Sequence, residues 1–383
     1  MNFRISCEAG SRTFAALLAG ALCAAPAAAA PPRYAIVDLG VLPGGGGFSR
    51  PYAISNDGHV VGAMSVGSGL VEAFMWRNGV LTDLGDLGAV HDNSYALGIN
   101  DAGQAVGFSR LGDAPFEGPD VPFVWQSGVM SVLPGTQTNG VAAAINNGGT
   151  VVGAIGTPGD ERAARWSGGA WSLLTGLTGV PGGARAINEA GQIAGTYEQA
   201  GGTHGFLWEA GVVTDLRDLP GGDDFTLVNA LSEIGWVVGE SAGADARHAF
   251  LWRAGIGMVD LGVLPSGGGL GSASFGVNAS GWVVGESGVA GPVNKRAFLW
   301  SGDTGMLDLN ELLGPAAGWL LTSAFAINDA GWITGIGLNP DGQSRAFVLT
   351  PVPEARTLTL LLAGLLALGL RRGGWARAGR GRA

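Results

Sequence analysis

Carboxylates are the most regularly spaced residues with chemical potential in this chain of 383 residues. An Asp-Leu pair recurs along the chain, with its carboxylates at Asp38, Asp83, Asp215, Asp260 and Asp308. A carboxylate can act as a general acid or base, but a catalytic group is needed once, whereas these recur. Because aspartate readily accepts hydrogen bonds from nearby backbone at turns, we expect these side chains to cap turns.

Other residue types with catalytic or metal-binding potential lack the necessary context. The Gly-x-Ser-x-Gly string at 239–243 leaves a strand for a loop and opens no helix, so it does not fit a nucleophile elbow. The histidines stand at different repeat positions without a second ligand at metal spacing, and we expect them in turns or at the surface: His59, His91, His204 and His248. Asp223 and Asp224 stand together in a loop and could contribute to a calcium site, but they lack the spaced oxygen ligands of a calcium-binding loop. No catalytic residue, metal site or cofactor is predicted.

One turn position suggests binding chemistry. The residue directly after a recurring turn glycine is, in chain order, His59, Gln104, Thr150, Gln192, Trp236, Trp282 and Trp332. Indoles near a surface are suited to stacking on sugar faces, whereas buried indoles pack and usually find a partner for the N–H. Four repeats have non-tryptophan residues here, which favours a partly solvated position. We therefore hypothesise a glycan-contacting arc of Trp236, Trp282 and Trp332, with His59 beside it.

These residues must be positioned by an internal repeat. Seven copies or variants of the motif Ala-Phe-Leu-Trp end at Trp76, Trp125, Trp166, Trp208, Trp252, Trp300 and Leu349. Each follows an Asn-x-x-Gly-x-Val-Val-Gly unit, and successive units are 45, 46, 42, 44, 46 and 50 residues apart. A period of 40 to 50 residues with four short strands in each repeat is typical of propeller blades. The predicted fold is all-β, a seven-bladed β-propeller with four strands in each blade.

The strands of a blade can be assigned from the same repeat. The first is rich in small residues, as in Ala184 to Ile187, and suits a crowded axis. A turn with a positive-φ glycine follows, then Val-Val-Gly, then Ala-Phe-Leu-Trp, whose Phe and Trp share one face and should pack on the next blade. The seventh repeat supplies only three strands, whereas 34–39 is an extra strand before the first repeat. We predict that this strand pairs beside Phe347 and closes the ring.

The terminal segments predict export. Residues 1–30 have a basic start, an apolar run and a small-residue cleavage site, as in a secretory signal. Both cysteines lie in this segment, so the mature protein has no disulfide. Between the basic termini stand 13 basic and 29 acidic residues, a net charge of −16. Such a body repels a phosphate backbone, which makes nucleic acid an unfavourable partner.

The chain ends in a segment with the features of a sorting signal. Residues 31–350 form the predicted propeller, and 351–383 form the tail. The tail contains Val352-Pro353-Glu354, an apolar run at 357–370, and a basic end that starts at Arg371 and Arg372. The 14 apolar residues would span about 21 Å as a helix, less than a hydrocarbon core of about 30 Å. We expect a transient membrane contact, with the arginines remaining inside.

Two resemblances follow from these motifs. The tail resembles the PEP-CTERM sorting signal of bacteria that make exopolysaccharide, with Ala355 in place of its final proline. The repeats at about 34–350 resemble the HAF family of extracellular repeat proteins, whose His-Ala-Phe motif stands here at His248-Ala249-Phe250. The first resemblance implies an exosortase-type sorting partner, and the second implies an exported surface protein.

Taken together, the sequence predicts a non-catalytic module. We expect a binding or structural protein of the cell surface or extracellular matrix that contacts exopolysaccharide. The alternative is a propeller hydrolase or lyase that acts on extracellular polysaccharide with carboxylates in the central mouth. Unrepeated Asp, Glu, His or Tyr residues at one mouth would favour the enzyme. Polar residues that simply follow the repeat would favour the module, and a mouth without aromatics would favour a spacer.

Overall fold

The computed structural model describes residues 32–353, apart from 68, 89–92, 111–118, 136–138, 200, 268–269, 292 and 315–316. The predicted signal at 1–30 lies outside the described residues, as do Glu354, Arg371, Arg372 and the rest of the tail. Val352 ends the last strand, and Pro353 follows it.

The described residues form 28 strands, four to a blade. The first, β1, is Arg33–Asp38. Blade 1 contains β2 Ser49–Ile54, β3 Val60–Ser65, β4 Val71–Arg77 and β5 Val80–Gly85. Blade 2 contains β6 Asn93–Ile99, β7 Ala105–Arg110, β8 Asp120–Gln126 and β9 Val129–Val132. Blade 3 contains β10 Asn139–Ile145, β11 Val151–Thr157, β12 Asp160–Ser167 and β13 Ala170–Leu173.

The remaining blades follow the same plan. Blade 4 contains β14 Gly182–Ile187, β15 Ile193–Gln199, β16 Gly202–Glu209 and β17 Val212–Asp215. Blade 5 contains β18 Thr226–Leu231, β19 Val237–Ala242, β20 Arg247–Arg253 and β21 Gly257–Asp260. Blade 6 contains β22 Ser272–Val277, β23 Val283–Gly288, β24 Lys295–Ser301 and β25 Gly305–Asp308. Blade 7 contains β26 Leu320–Ile327, β27 Ile333–Leu338 and β28 Ser344–Val352. Two short 3-10 helices span Pro265–Gly267 and Leu309–Leu312.

The sheets confirm the predicted seven-bladed β-propeller. Every blade is a four-stranded antiparallel sheet, and the strands of blades 1 to 6 stand in chain order. Blade 7 has the order β1-β28-β27-β26, so the N-terminal strand supplies its outer strand. Asp38 pairs with Phe347, as predicted. The ring is therefore closed by strands from both ends of the described chain.

The innermost strands line the axis, and each contains a β-bulge at the same place. Neighbouring first strands contact one another all around the ring. In blade 1 the register shifts between Pro51 and Ala53, which leaves Tyr52 as the extra residue. The equivalent shifts in the other blades leave Leu97, Ala143, Arg185, Asn229, Phe275 and Phe325 unpaired. A bulge re-aims a side chain, and these seven side chains line the central channel.

The bulge also explains the last glycine of Val-Val-Gly. A Cβ atom on Gly239 would lie 1.9 Å from the carbonyl oxygen of Leu227 and 2.9 Å from the Phe250 ring. At the equivalent glycines of all seven blades, the distance to the corresponding carbonyl oxygen is 1.8 to 2.2 Å. No side chain fits at that distance, so the bulge in one strand requires glycine in the next.

The Phe and Trp of the third strand pack between blades, as predicted. Phe206 and Trp208 of blade 4 contact Val152 and Ala163 of blade 3. Six blades have a fully buried Phe at this position, whereas blade 3 has Ala164. Burying a large aromatic ring stabilises a core by about 3–5 kcal/mol relative to alanine. The blade interfaces are therefore the hydrophobic core of the ring.

The Asp-Leu carboxylates cap turns, as predicted. The Oδ1 atom of Asp260 accepts a hydrogen bond of 2.7 Å from the backbone N–H of Gly262, two residues on. The same bond forms at all five positions, with lengths of 2.7 to 2.9 Å. The following leucine is buried between blades, as Leu261 illustrates.

Candidate functional site: the two mouths of the central channel

The first mouth of the channel is formed by the seven Asn-x-x-Gly turns. We number the turn positions from the Asn or Ser that opens each turn. The opening side chain binds its own turn, because its oxygen accepts the backbone N–H four residues on, as Asn328 does from Trp332 at 2.8 Å. All seven turns make this bond. The turn glycine has a φ of 75° to 79° in every blade, as predicted.

The opening asparagines also join neighbouring blades. Asn328 donates its Nδ2 hydrogen to the carbonyl oxygen of Ser55 in blade 1, at 3.0 Å. Five of the seven turns open with asparagine, and each makes the equivalent bond at 3.0 to 3.3 Å. Ser55 and Ser232 open the other two turns and have a shorter side chain without an amide N–H. The recurrence of asparagine therefore has a structural cause that spans two repeats.

The second turn position forms a ring of hydrogen bonds around this mouth. Its members are Asn56, Asp101, Asn147, Glu189, Glu233, Ala279 and Asp329. The backbone N–H of each donates to the side-chain oxygen of the next, at 2.8 to 3.0 Å, in six of the seven links. The link from Glu233 fails because Ala279 has no acceptor. Most polar groups at this mouth are thus engaged in holding blades together.

Four carboxylates of this ring share one electrostatic environment. Burial raises the pKa of Glu233 above its usual value. The negative charges of the other three carboxylates, Glu189, Asp329 and Asp101, raise it further, while the hydrogen bond from the Glu189 backbone lowers it. The cavity at this turn mouth has a volume of about 190 Å³.

The structure places the three tryptophans of the hypothesised arc between blades and near this mouth. A Cβ atom on Gly281 would lie 2.2 Å from the six-membered ring of Trp236. Trp282 contacts Gly331 in the same way, and Trp332 contacts Gly58. Each ring is half-buried and packs against a blade-interface cluster. No indole N–H of the three has a hydrogen-bond partner among the described residues, and none belongs to the fully enclosed polar atoms.

His59 lies beside the turn of blade 1, as expected, but its ring is buried and not partly solvated. This residue follows the turn glycine of blade 1, but only 5% of it is exposed, and its ring lies 3.8 Å from the Cβ position of Gly103. Both ring nitrogens are enclosed without a partner. Burial lowers the pKa of His59, and Arg77 acts in the same direction. Position 59 lies beneath the next blade, a relation that its sequence neighbours do not reveal.

An aliphatic collar separates the turn mouth from the opposite one. Six residues that end innermost strands line the cavities on both sides: Ile54, Ile99, Ile145, Leu231, Val277 and Ile327. Ile187 ends the innermost strand of blade 4 and lines the cavity at the turn mouth. Beyond the collar lies the bulge mouth, a cavity of about 210 Å³ lined by the seven bulge residues and Arg50. The two mouths differ in chemistry, because the turn mouth has four carboxylates and the bulge mouth has two guanidinium groups.

The guanidinium groups of the bulge mouth have no acidic partner. Among the described residues, no carboxylate lies within ion-pair distance of Arg50 or Arg185, and neither side chain has a hydrogen-bond acceptor. The Arg50 guanidinium lies 4.3 Å from the ring centre of Phe325 and 5.3 Å from that of Tyr52. Water reaches Arg185 through the channel, yet the surrounding protein lowers the pKa of this arginine by desolvation.

Aromatic and amide groups complete the bulge mouth. Phe275 and Phe325 lie 5.4 Å apart between ring centres. Asn229 donates its Nδ2 hydrogen to the carbonyl oxygen of Ser274 at 2.9 Å, and its Oδ1 atom has no partner among the described residues. The cavity therefore offers cationic donors, an acceptor and apolar ring faces within one small volume.

Sequence reasoning did not find this mouth, although a signal was present. Each bulge residue stands three positions before the Asn or Ser that opens the turn. Alignment at that position shows a Tyr, two Phe, an Asn and an Arg among otherwise similar strands. Arg185 stands in a strand whose other residues are mostly small, and this composition draws attention away from it. A position that varies inside a regular repeat was the available signal.

Catalytic and metal-binding arrangements are not evident in the described part of the chain. No group of three or more His, Cys, Asp and Glu side chains is arranged to hold a metal ion there. Ser241 of the Gly-x-Ser-x-Gly string lies in β19, fully buried, and contacts the Thr226 hydroxyl at 2.9 Å. Within the described ranges, no helix has the length and apolar character needed to cross a bilayer.

Comparisons with known proteins found likenesses among solved structures. No family model and no curated protein matches the chain. Among solved structures, TolB from Acinetobacter baumannii is 12% identical with a TM-score of 0.46, over 66% of this chain and 63% of TolB. The match thus spans less than two thirds of TolB. YCF48 bound to D1 peptide is 13% identical with a TM-score of 0.45, over 86% of this chain and 98% of YCF48.

A puromycin-hydrolysing peptidase from Mycobacterium tuberculosis is 14% identical with a TM-score of 0.42, over 85% of this chain and 63% of the peptidase. These likenesses concern the fold alone. The sheets themselves define the class, which is a seven-bladed β-propeller repeat protein.

Proposed function

We propose that the protein is an exported, non-catalytic propeller module that binds extracellular polysaccharide. One observation carries this proposal: the bulge mouth is a concave cavity whose lining side chains differ from blade to blade and include aromatic rings, guanidinium groups and an amide. A concave cavity lined by aromatic side chains with a few polar groups is typical of a ligand site. The resemblance of the tail to a PEP-CTERM signal supports polysaccharide as the ligand class, and the resemblance of the repeats to the HAF family supports export.

The distribution of acids and bases supports a role without catalysis. The described residues that line the bulge mouth include a Tyr but no Asp, Glu or His. The polar groups of the turn mouth follow the repeat, and most hydrogen-bond neighbouring blades. A general acid or base must reach the substrate with a suitably placed proton. Tyr52 is an unrepeated group of the kind that would favour an enzyme, but no carboxylate or histidine among the described residues lines the bulge mouth with it.

The proposal is tested by screening the mature protein on a glycan array that includes the exopolysaccharide of its host. We expect saturable binding to polysaccharide and no release of shorter sugars on prolonged incubation. Absence of binding to every polysaccharide, with a folded protein shown by circular dichroism, would refute the proposed function.

The tryptophan arc gives the proposal a second contact surface. The unpaired indole N–H groups support contact with sugar hydroxyls, whereas the packing of each ring on the next blade's glycine supports a structural role. We propose that Trp236, Trp282 and Trp332 contribute to binding, and that Ala at each position weakens polysaccharide binding while the fold is kept. A loss of about 3 kcal/mol in stability with unchanged binding would show that these tryptophans are core residues without a role in binding.

The tail supports a proposal on location. Its apolar run and basic end, if read by an exosortase-type partner, would release the protein to the cell surface or matrix after a transient membrane contact. Intact-mass analysis of the protein from its host should show loss of the residues after about Glu354, or else recovery in the membrane fraction. A soluble protein that still contains Arg371 and Arg372 would contradict this proposal.

Glu233 favours a second candidate function, a hydrolase or lyase acting on extracellular polysaccharide. A carboxyl with a raised pKa in a group of carboxylates is suited to act as a general acid. Glu233→Gln would then abolish the release of sugars from the host polysaccharide. The hydrogen bond of 3.0 Å from the Glu189 backbone to this carboxylate favours the structural role instead.

A further inference from the structure

Arg50 and Arg185 stand out in this molecule because the chain around them is acidic. The residues between the basic termini have a net charge of −16, yet both guanidinium groups line one cavity without a carboxylate in ion-pair range among the described residues. Arg185 is exposed to the water of the channel, whereas Arg50 is half-buried and its Nε–H is enclosed without a partner. Two guanidinium groups that have no carboxylate partner among the described residues can therefore bind an anion that enters this cavity.

The size and the other groups of the cavity narrow the choice of anion. The bulge residues line two cavities, one of about 210 Å³ that includes Arg50 and one of about 220 Å³ that includes the collar. Each is smaller than the roughly 300–1,000 Å³ of sites for drug-sized ligands, so each suits a single ring-sized unit. The guanidinium fork matches a carboxylate in a bidentate pair. The Asn229 Oδ1 atom can accept a hydroxyl hydrogen, and the ring faces of Tyr52 and Phe275 suit the apolar face of a sugar ring.

We infer that the bulge mouth binds one uronate unit, with its carboxylate held by Arg185 and Arg50. The sugar hydroxyls then face Asn229, and the sugar ring packs against the aromatic side chains. This inference rests on the proposed polysaccharide binding and specifies the acidic sugar that the polysaccharide presents.

The test uses the mature protein and free D-glucuronate, with D-glucose as the uncharged analogue, in titrations at low salt. We expect saturable glucuronate binding and at least tenfold weaker glucose binding. Arg185→Gln should weaken glucuronate binding at least tenfold. Arg50→Gln should also weaken glucuronate binding. Arg217→Gln is the matched control, because that side chain is 85% exposed and lies outside the mouth, and its affinity should remain within twofold of the wild type.

Stability separates a ligand-binding arginine from a structural one. Because Arg185 has no partner in the described chain, Arg185→Gln should leave the midpoint of thermal unfolding unchanged or raise it by about 2 °C. Glucuronate should raise the midpoint of the wild type and not that of the variant. A clear fall in the midpoint of Arg185→Gln would assign this residue to the fold and overturn the inference.

Other outcomes distinguish the inference from the proposed function. Polysaccharide binding without glucuronate binding, unaffected by Arg185→Gln, would overturn the uronate site and leave the function intact. Glucuronate binding without any polysaccharide binding would retain the site and refute the function. Binding of a short peptide through its terminal carboxylate, with no binding of glucuronate, would overturn the assignment to a sugar.

Discussion

His59 shows how much a single residue depends on the neighbouring blade. Glutamine, threonine or tryptophan occupies its turn position in the other blades. Asn100 donates to the Gln104 side chain at 2.8 Å in blade 2, but Ser55 opens the turn of blade 1 and has no amide N–H. The imidazole consequently lies enclosed without a partner, a state that disfavours its protonated form.

A pH-dependent loss of stability follows for His59. Its pKa in the folded protein is lowered from 6.5, since the effects of burial and Arg77 exceed those of Asp57 and Asp101. Below about pH 6.5 the unfolded state binds a proton that the folded state resists, so the free energy of unfolding falls as the pH falls. Urea unfolding of His59→Gln between pH 8 and pH 5 should show a smaller fall than the wild type. Equal pH profiles would contradict this account.

At the scale of the element, the innermost strand and its neighbour are coupled by the bulge. The bulge turns one side chain into the channel and brings a carbonyl oxygen onto the next strand. Only glycine fits beneath that oxygen, and in most blades the phenylalanine of the third strand covers the opposite side. The repeat Val-Val-Gly and the variable channel residue are therefore two consequences of one backbone feature.

Substitution of this glycine should be far more disruptive than substitution of a turn glycine. Gly239→Ala places Cβ 1.9 Å from the Leu227 oxygen, so β18 or β19 must move, and we expect a loss of about 2–3 kcal/mol in urea unfolding. Gly302→Ala is the control, since no atom lies within 4 Å of its Cβ position. The control should stay within about 0.5 kcal/mol of the wild type. Similar losses for both would refute the steric explanation.

At the scale of the whole molecule, closure depends on links between blades. The turn mouth has a ring of backbone-to-side-chain hydrogen bonds with one missing link, from Glu233 to position 279. The outer edge is closed by β1, which pairs with β28 over six residues from Arg33 to Asp38. Closure removes the open joint between the first and last blades.

The missing link can be supplied. Ala279→Asn provides an acceptor like those of Asn56 and Asn147, and we expect it to stabilise the ring by about 0.5–1.5 kcal/mol, the net value of one hydrogen bond. Ala330→Asn is the control, because that exposed turn residue lies outside the hydrogen-bonded ring. An increase in the melting midpoint for Ala330→Asn equal to that for Ala279→Asn would indicate a general surface effect instead.

Removal of β1 should destabilise all seven blades together. Deleting residues 33–38 exposes the edge of β28 and removes Tyr34, which is only 3% exposed. We expect a loss of about 3 kcal/mol or more, as for one large buried side chain, in a single calorimetric transition. A protein that begins at Arg33 is the control. An unchanged transition after deletion of residues 33–38 would contradict closure by this strand.

Sequence alone determined the features that arise from periodicity and local hydrogen bonding. The spacing of the glycines and tryptophans indicated seven blades, and the surplus strand at 34–39 indicated closure beside Phe347. The turn glycines and the Asp-Leu caps were predictable because their bonds span only a few residues. The shared face of Phe and Trp was predictable because side chains alternate along a strand.

Tertiary structure decided which residues meet across repeats. A register shift of one residue re-aims the side chain at Arg185 into the channel, and the sequence of its strand does not mark that shift. The environment of His59 and the packing of Trp236 depend on turns of the next blade, about 45 residues away. The two differently charged mouths exist only because ring closure brings seven such positions to one axis.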